Sequence, residues 1–510
     1  MSLGLYFALC AVVSGLVIRI NMTLATRIGV MDQPGGHKQH DVSTPFVGGF
    51  GLVATVLLAL FLGARYFPDI PVKLVQTLAA GALVLFITGL ADDLWHLNFK
   101  TRFVIQAAVA VAMVLVGGVE LVHLGELVPG FPVSLGQLSI PFTIFATIGL
   151  INALNMIDGI DGLSGTLSFI SLGFAALAAS LAHSGHYLAF IVTVMGGVVG
   201  FLYYNLRYPG NDRARVFLGD NGSMLLGYLF AWIFIALSQG AQPAMTPVTV
   251  LWIIGVPLLD TVGVMLRRMW FGKSPFHADR YHLHHLFIRA GFRVGDTVLI
   301  LAIVQLTLGA IGMMGLHLGV PQYLMFWLFL LAFAGYFYVV ARPWRVVQHL
   351  CRLIHVLGMP SVQARGVFVG YFPKEGSRAM LDMLAQELAN HHNYRLSLHE
   401  ALGRTKGKPN VYALIEIEGN MDDAAVGELR RMMSLIKGQL SDRPLIHVRL
   451  FMNRTDSLDR RTHQTDDDEP MTCNRKNERR SGQDNDAFFK TPIQVKNGNL
   501  RLEQIKRSTP

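Results

Sequence analysis

Between Ile151 and Gly165 the chain reads INALNMIDGIDGLSG, and Asn152, Asn155, Asp158 and Asp161 follow one another at intervals of three. Steps of three drift backwards around a helix of 3.6 residues per turn, so the four side chains do not share one stripe. Gly159 and Gly162 predict that the helix ends near Asp158. Asn152 and Asn155 then occupy its last turn, with Asp158 and Asp161 in the loop beyond. Hard oxygen donors without a cysteine suit Mg2+ or Mn2+ better than zinc. Helix capping and an Asx-turn account for one or two of these residues, but hardly for four.

Other stretches carry similar equipment. Asp92 and Asp93 end an apolar run. A carboxylate near lipid costs a few kcal/mol unless paired or hydrated, so a wet cavity or a cation is expected beside them; a solvated helix end is the plain alternative. Adjacent helical residues point about 100° apart, which predicts different tasks for the two acids. In VFLGDNGSMLLG (216–227), Asp220, Asn221 and Ser223 stand directly before another apolar run. That is N-cap chemistry by itself. Helix N-termini also favour phosphate oxygens, and with two further acidic clusters Asp220 becomes a candidate metal ligand. HLHH (282–285) lies beside Arg280 and Arg289, and His282 and His285 can share a helical face. No thiol or carboxylate completes a zinc set there, and the arginines favour phosphate. Lys38, His40 and Arg102 extend this basic edge. Oxygen ligands for a divalent ion plus cations for phosphate are what phosphoryl transfer needs.

Such clusters require elements that gather them. The chain has 510 residues, 52% of them hydrophobic and 15% charged, against ~25% charged in soluble domains. This predicts a polytopic membrane protein, in which the net charge of +9 encodes topology rather than a nucleic-acid footprint. Cys10, Cys351 and Cys473 lie far apart and suggest neither a disulfide framework nor a zinc site. The first apolar stretch lacks a basic n-region and reads as a retained helix. Eleven segments approach the ~20 apolar residues of a span: 3–20, 46–64, 74–91, 103–119, 140–157, 165–182, 187–205, 221–238, 247–266, 298–316 and 321–341. Of the 16 Lys and Arg residues before Arg342, 14 fall at the loops after odd-numbered spans; Arg65 and Lys73 are the exceptions. The positive-inside rule then makes the odd loops cytoplasmic, with the N-terminus outside and the C-terminus inside. Every polar cluster lies on that cytoplasmic face, and the even loops read as short or bland.

Taken in order, PFVGG (45–49), DDLWHL (92–97), NALNMIDGIDGLSG (152–165), VFLGDNGS (216–223) and HLHH (282–285) resemble the motifs of the polyprenyl-phosphate N-acetylhexosamine-1-phosphate transferases, glycosyltransferase family 4. More narrowly, residues 1–341 look like the bacterial inner-membrane branch that starts O-antigen, enterobacterial common antigen or teichoic-acid linkage units. The resemblance implies that a UDP-N-acetylhexosamine, GlcNAc foremost, gives its sugar-1-phosphate to undecaprenyl phosphate and releases UMP. It implies Mg2+ or Mn2+ held by Asn155 and Asp220, with Asp92 and Asp93 as the catalytic acids. It places Asp161 near the uracil and Asp158 near the nucleotide. Lys38, Arg102, His282, His284 and His285 would meet phosphates or sugar, and a homodimer is the expected assembly. The muramyl-pentapeptide branch carries three consecutive histidines; Leu283 interrupts them here, which favours a simple N-acetylhexosamine donor. A phosphate monoester with a second pKa near 6 is largely a dianion at pH 7, so direct attack by the lipid phosphate is expected.

An ion- or proton-coupled transporter is the competing class, since intramembrane acids serve it too. Transporters place charge near the midplane and often repeat their halves; here the acids gather at one face without an internal repeat. A scaffold explains no cluster. Beyond a linker at 342–364, the strand and helix periods of 365–453 run βαββαβ: strands at 365–372, 394–402, 410–419 and 444–452, helices at 375–390 and 422–440. The expected whole is an all-α membrane bundle of eleven spans with a small cytoplasmic ferredoxin-like α/β domain. Residues 454–510 hold 12 Lys or Arg and 10 Asp or Glu and are expected to form a disordered polar tail.

Overall fold

A computed structural model describes residues 2–28, 31, 44–66, 72–211, 213–270, 272, 274–275, 282–289, 292–341 and 350, and strands at 364–373, 394–402, 410–419, 448–454, 488–496 and 499–501. Lys38, His40, Arg280 and the expected helices at 375–390 and 422–440 lie outside these residues. The chain divides into two units, Met1–His284 with Val294–Ala341, and His285–Arg293 with Arg342–Pro510.

In the first unit every expected apolar segment is helical. In chain order these are α1 (Leu3–Ile28), α2 (Gly48–Tyr66), α3 (Val72–Trp95), α4 (Phe99–Leu115), α5 (Ser139–Ile157), α6 (Leu163–Leu181), α7 (Gly185–Asn205), α8 (Gly219–Ser238), α9 (Pro247–Ile253), α10 (Gly255–Trp270), α12 (Val294–His317) and α13 (Gln322–Ala341). Between α10 and α12 lies the short α11 (Leu283–Arg289). Among the described residues eight helices are long and apolar enough to cross a membrane, and the pair α9–α10 makes a ninth. The other two expected spans correspond to α2, of 19 residues, and to α4, of 17 residues with Lys100 and Arg102 in its first turns.

The segment read as one span at 247–266 is broken, with α9 and α10 meeting at 85°. Pro257 has no N–H to give Ile253, four residues earlier. The freed Ile253 carbonyl accepts from Ser171 at 2.8 Å and from Gln305 Nε2, while Gln305 Oε1 accepts from Val256 N at 2.9 Å. One amide on α12 thus satisfies both sides of the break.

Helix α8 is the centre of the bundle, buried almost throughout. Glycines let its neighbours close on it, as small residues do between membrane helices. A methyl at Gly89 on α3 would collide with the Asp220 carbonyl, and one at Gly227 would lie 2.5 Å from Ile151 Cα on α5. The loop at 120–139, read as bland, contains an antiparallel hairpin, β1 (His123–Val128) with β2 (Phe131–Ser134). Gln239 holds it, accepting from Val122 N and His123 N at 3.0 Å each.

In the second unit β3 (Ala364–Pro373), β4 (Tyr394–Leu402), β5 (Asn410–Gly419), β6 (Val448–Arg454), β7 (Phe488–Lys496) and β8 (Asn499–Arg501) form one antiparallel sheet in the order β6-β3-β5-β4-β7-β8. Strands β7 and β8 lie between residues 488 and 501, and β7 pairs along β4 from Lys496 opposite Arg395 to Phe488 opposite Leu402.

Candidate functional site

Four helix ends meet at one end of the bundle: the C-termini of α3 and α5 and the N-termini of α4 and α8. Their terminal residues carry the polar motifs. Helix α5 stops at Ile157 with Asp158 as its C-cap, as Gly159 predicts. Asn155, on the last turn, donates through Nδ2 to Asp220 Oδ1 and to Ser223 Oγ, the latter at 2.9 Å. Asp220 lies in the first turn of α8.

The first turn of α8 owes its place to Asp93. No side chain of its own sequence caps α8. Instead Asp93 Oδ1 accepts from Asp220 N at 2.9 Å, and Oδ2 accepts from Asn221 N at 3.1 Å and Asn221 Nδ2 at 2.6 Å. A carboxylate at a helix N-terminus satisfies orphan amides and meets the positive end of the dipole. Asn221 Nδ2 also donates to Phe46 O at 3.0 Å. The PFVGG segment is pinned further by Gly48 N to Phe217 O at 3.0 Å and Phe217 N to Pro45 O at 2.9 Å.

Asp92 points elsewhere, as adjacent helical residues must. It is buried and pairs with Arg102 Nη1, which also lies 3.7 Å from Asp220 Oδ2. Arg102 is thus shared between two carboxylates. Asp158, half-buried, has its carboxyl pushed up to about 7 by burial, reinforced by the charges of Asp93 and Asp161. Asp161 Oδ2 accepts from Arg207 Nε at 2.7 Å and Ala214 N at 3.1 Å, which fastens the Asp158–Asp161 loop to the segment after α7. Asn152 serves a different end: it donates to Gln106 Oε1 on α4 at 2.9 Å and to Ile148 O at 2.8 Å, tying α4 to α5.

The histidine motif reaches the same loop. His284 is buried, and a methyl on Gly159 would collide with its Nε2. Burial holds this imidazole well down, at about 4, and therefore neutral at physiological pH. The rings of His282 and His284 stack with centroids 5.8 Å apart. His282 Nδ1 lies 2.9 Å from Asp260 Oδ2. His285 follows in α11 and belongs to the second unit. Asp93, Asn155 and Asp220 are therefore linked by hydrogen bonds, with Asp92, Arg102, Asp158 and Asp161 alongside.

Sequence reasoning missed Asp260, Tyr336 and Arg207. Asp260 stands alone in LLDTVG; a lone acid inside a span was itself a signal.

Near Asp92, Asp93, Asp158 and Asp220, Arg102 pairs with Asp92 and lies 3.7 Å from Asp220 Oδ2. The chemistry of this donor set suits a hard divalent ion: Asp220 offers carboxylate oxygen and Ser223 a hydroxyl, and Asn155, whose amide N–H2 meets both of them here, would present its amide oxygen once that group turns. Among the described residues no three His, Cys, Asp or Glu converge as a closed cage. An open site of one or two carboxylates completed by phosphate is how Mg2+ is usually held.

Residues 75–238 match the model of glycosyl transferase family 4. The chain is 37% identical over 332 residues to an undecaprenyl-phosphate alpha-N-acetylglucosaminyl 1-phosphate transferase of Yersinia pestis, covering 64% of this chain and 89% of that protein. For the enzyme of the same description from Salmonella typhi the identity is 36% over 333 residues, 65% of this chain and 89% of the relative. For that from Haemophilus influenzae it is 35% over 342 residues, 66% and 94%. The multi-pass bundle, its gathered acids and these relatives make the chain a member of the polyprenyl-phosphate GlcNAc-1-phosphate transferase family.

Proposed function

We propose that this protein transfers N-acetylhexosamine-1-phosphate, with GlcNAc as the sugar, from a UDP-sugar to undecaprenyl phosphate at the cytoplasmic face of the inner membrane. UMP leaves, and the lipid-linked diphosphate sugar begins a cell-surface glycan such as O-antigen. The observation that carries the reading is the meeting of Asp92, Arg102, Asn155 and Asp220 at four converging helix ends. A phosphate oxygen of the lipid attacks the sugar-bearing phosphorus of the donor. The bond from that phosphorus to the bridging oxygen breaks, and UMP departs with the electron pair. The lipid phosphate is already largely a dianion at pH 7, so no proton must be removed first.

Asp220 and Asn155 hold Mg2+ or Mn2+ in this reading, and the ion supplies charge neutralisation for the diphosphate. Asp92 sets the position of Arg102, which with Lys38, His282 and His284 binds phosphate or sugar oxygens. Asp158 and Asp161 border the nucleotide. Asp93 acts by holding the first turn of α8 rather than by touching the reacting phosphorus. The test is UMP release from a panel of UDP-sugars in membranes supplied with undecaprenyl phosphate and Mg2+. Release with UDP-GlcNAc is expected; no release with any donor overturns the reading.

A further inference from the structure

Asp260 is fully enclosed within α10, in a segment that is otherwise part of a membrane span. An acid there persists only with partners, and among the described residues it has three. Its Oδ2 meets His282 Nδ1 at 2.9 Å, while Oδ1 accepts from Leu283 N at 2.8 Å and from the Tyr336 hydroxyl on α13. Two of these partners belong to the HLHH segment. A carboxylate on Nδ1 assigns the proton of that nitrogen and fixes the direction of the ring. The Leu283 contact fixes the backbone beside the same histidine. The other anchor of the segment is His284, seated on Gly159. One end of the motif is therefore set by α10 and α13, the other by the loop carrying Asp158 and Asp161.

We propose that Asp260 is a positioning residue for the transfer: through Nδ1 it fixes the tautomer and direction of His282, with Tyr336 holding the carboxylate from its other oxygen. This rests on the reading of the site as a phosphoryl-transfer centre. Asp260→Asn places an amide N–H2 or a single carbonyl opposite a donor and an imidazole nitrogen, so the ring loses its assigned tautomer. Tyr336→Phe keeps the pair but frees the carboxylate to turn.

The experiment measures kcat and KM for UDP-GlcNAc in Asp260→Asn and Tyr336→Phe, each alone and combined with His282→Gln. The expected result is a kcat reduced at least tenfold by Asp260→Asn and about threefold by Tyr336→Phe, within the ~100-fold that a misplaced substrate-positioning group can cost. KM stays within about twofold of the parent, and both effects vanish in the His282→Gln background, as coupled residues require. Equal losses with and without His282, or parental kcat in both variants, overturn the assignment. Tyr336→Phe retains the whole Asp260 contact set but one and decides the matter where Asp260→Asn does not yield folded enzyme. An inactive parent refutes the proposed reaction instead, so the two failures are told apart.

Discussion

Asp93→Asn separates two kinds of work that an acid beside a phosphate site can do. In the native protein its two oxygens accept three hydrogen bonds from the first turn of α8. An asparagine keeps one oxygen. Turned towards Asn221, it retains two acceptor contacts and sets its own N–H2 against Asp220 N–H. One bond to a charged acceptor is lost, about 1.5–3 kcal/mol, and the two that remain fall to neutral strength, about 1 kcal/mol less each. Loss of the charge from the helix N-terminus removes about 0.3–1 kcal/mol more. The sum is about 4–6 kcal/mol, which at ~2–4 °C per kcal/mol lowers the melting temperature by roughly 10–20 °C. Asp220 rides on the same turn, so Mn2+ binding weakens along with stability. The assays are thermal unfolding by tryptophan fluorescence in detergent, Mn2+ titration by electron paramagnetic resonance, and UMP release. Parental melting and Mn2+ binding combined with collapsed turnover would refute the reasoning, because a proton acceptor, not a cap, would then occupy position 93.

Asp220→Asn keeps the fold and lowers both turnover and Mn2+ affinity at least tenfold, read by UMP release and by the same titration. Gly159→Ala forces His284 off the loop; overpacking of this kind costs about 1–3 kcal/mol, and turnover falls while Mn2+ binding at Asp220 persists. Asp158 gives a pH signature. Its folded carboxyl sits near 7, above the ordinary value of 3.8, so its favourable contribution is complete below pH ~4 and is lost as pH rises through 7. Without divalent ions the melting temperature therefore declines between pH 4.5 and 7.5, and Asp158→Asn has a flatter profile over that window.

The bundle was legible because twenty-residue apolar runs admit few other readings, and the end of α5 was written in Gly159. Motif order also identified most of the polar residues that meet. Less legible was what each side chain touches. Asp93 and Asp220 are 127 positions apart in the chain, and no local pattern says that one caps the helix bearing the other. Asn152 looked like its neighbour Asn155, but one helical turn sends it to Gln106 instead. The break at Ile254 had a signal in Gly255 and Pro257, masked by continuous hydropathy. Asp260 was hidden for the same reason, since one acid hardly lowers the average of an apolar window.

The burial of α8 has a consequence for the bilayer itself. Helices α1 and α13 expose large apolar side chains such as Leu5, Ile20, Trp327 and Leu331, whereas α8 meets almost nothing but protein. Changes in hydrocarbon thickness are taken up by tilt of such peripheral helices, at fractions of a kcal/mol per Å of mismatch. Asp220, carried on α8 itself, is thereby referenced in depth to an inner mast rather than to lipid, and Asp93 on α3 is tied to that mast by its bonds to the first turn of α8.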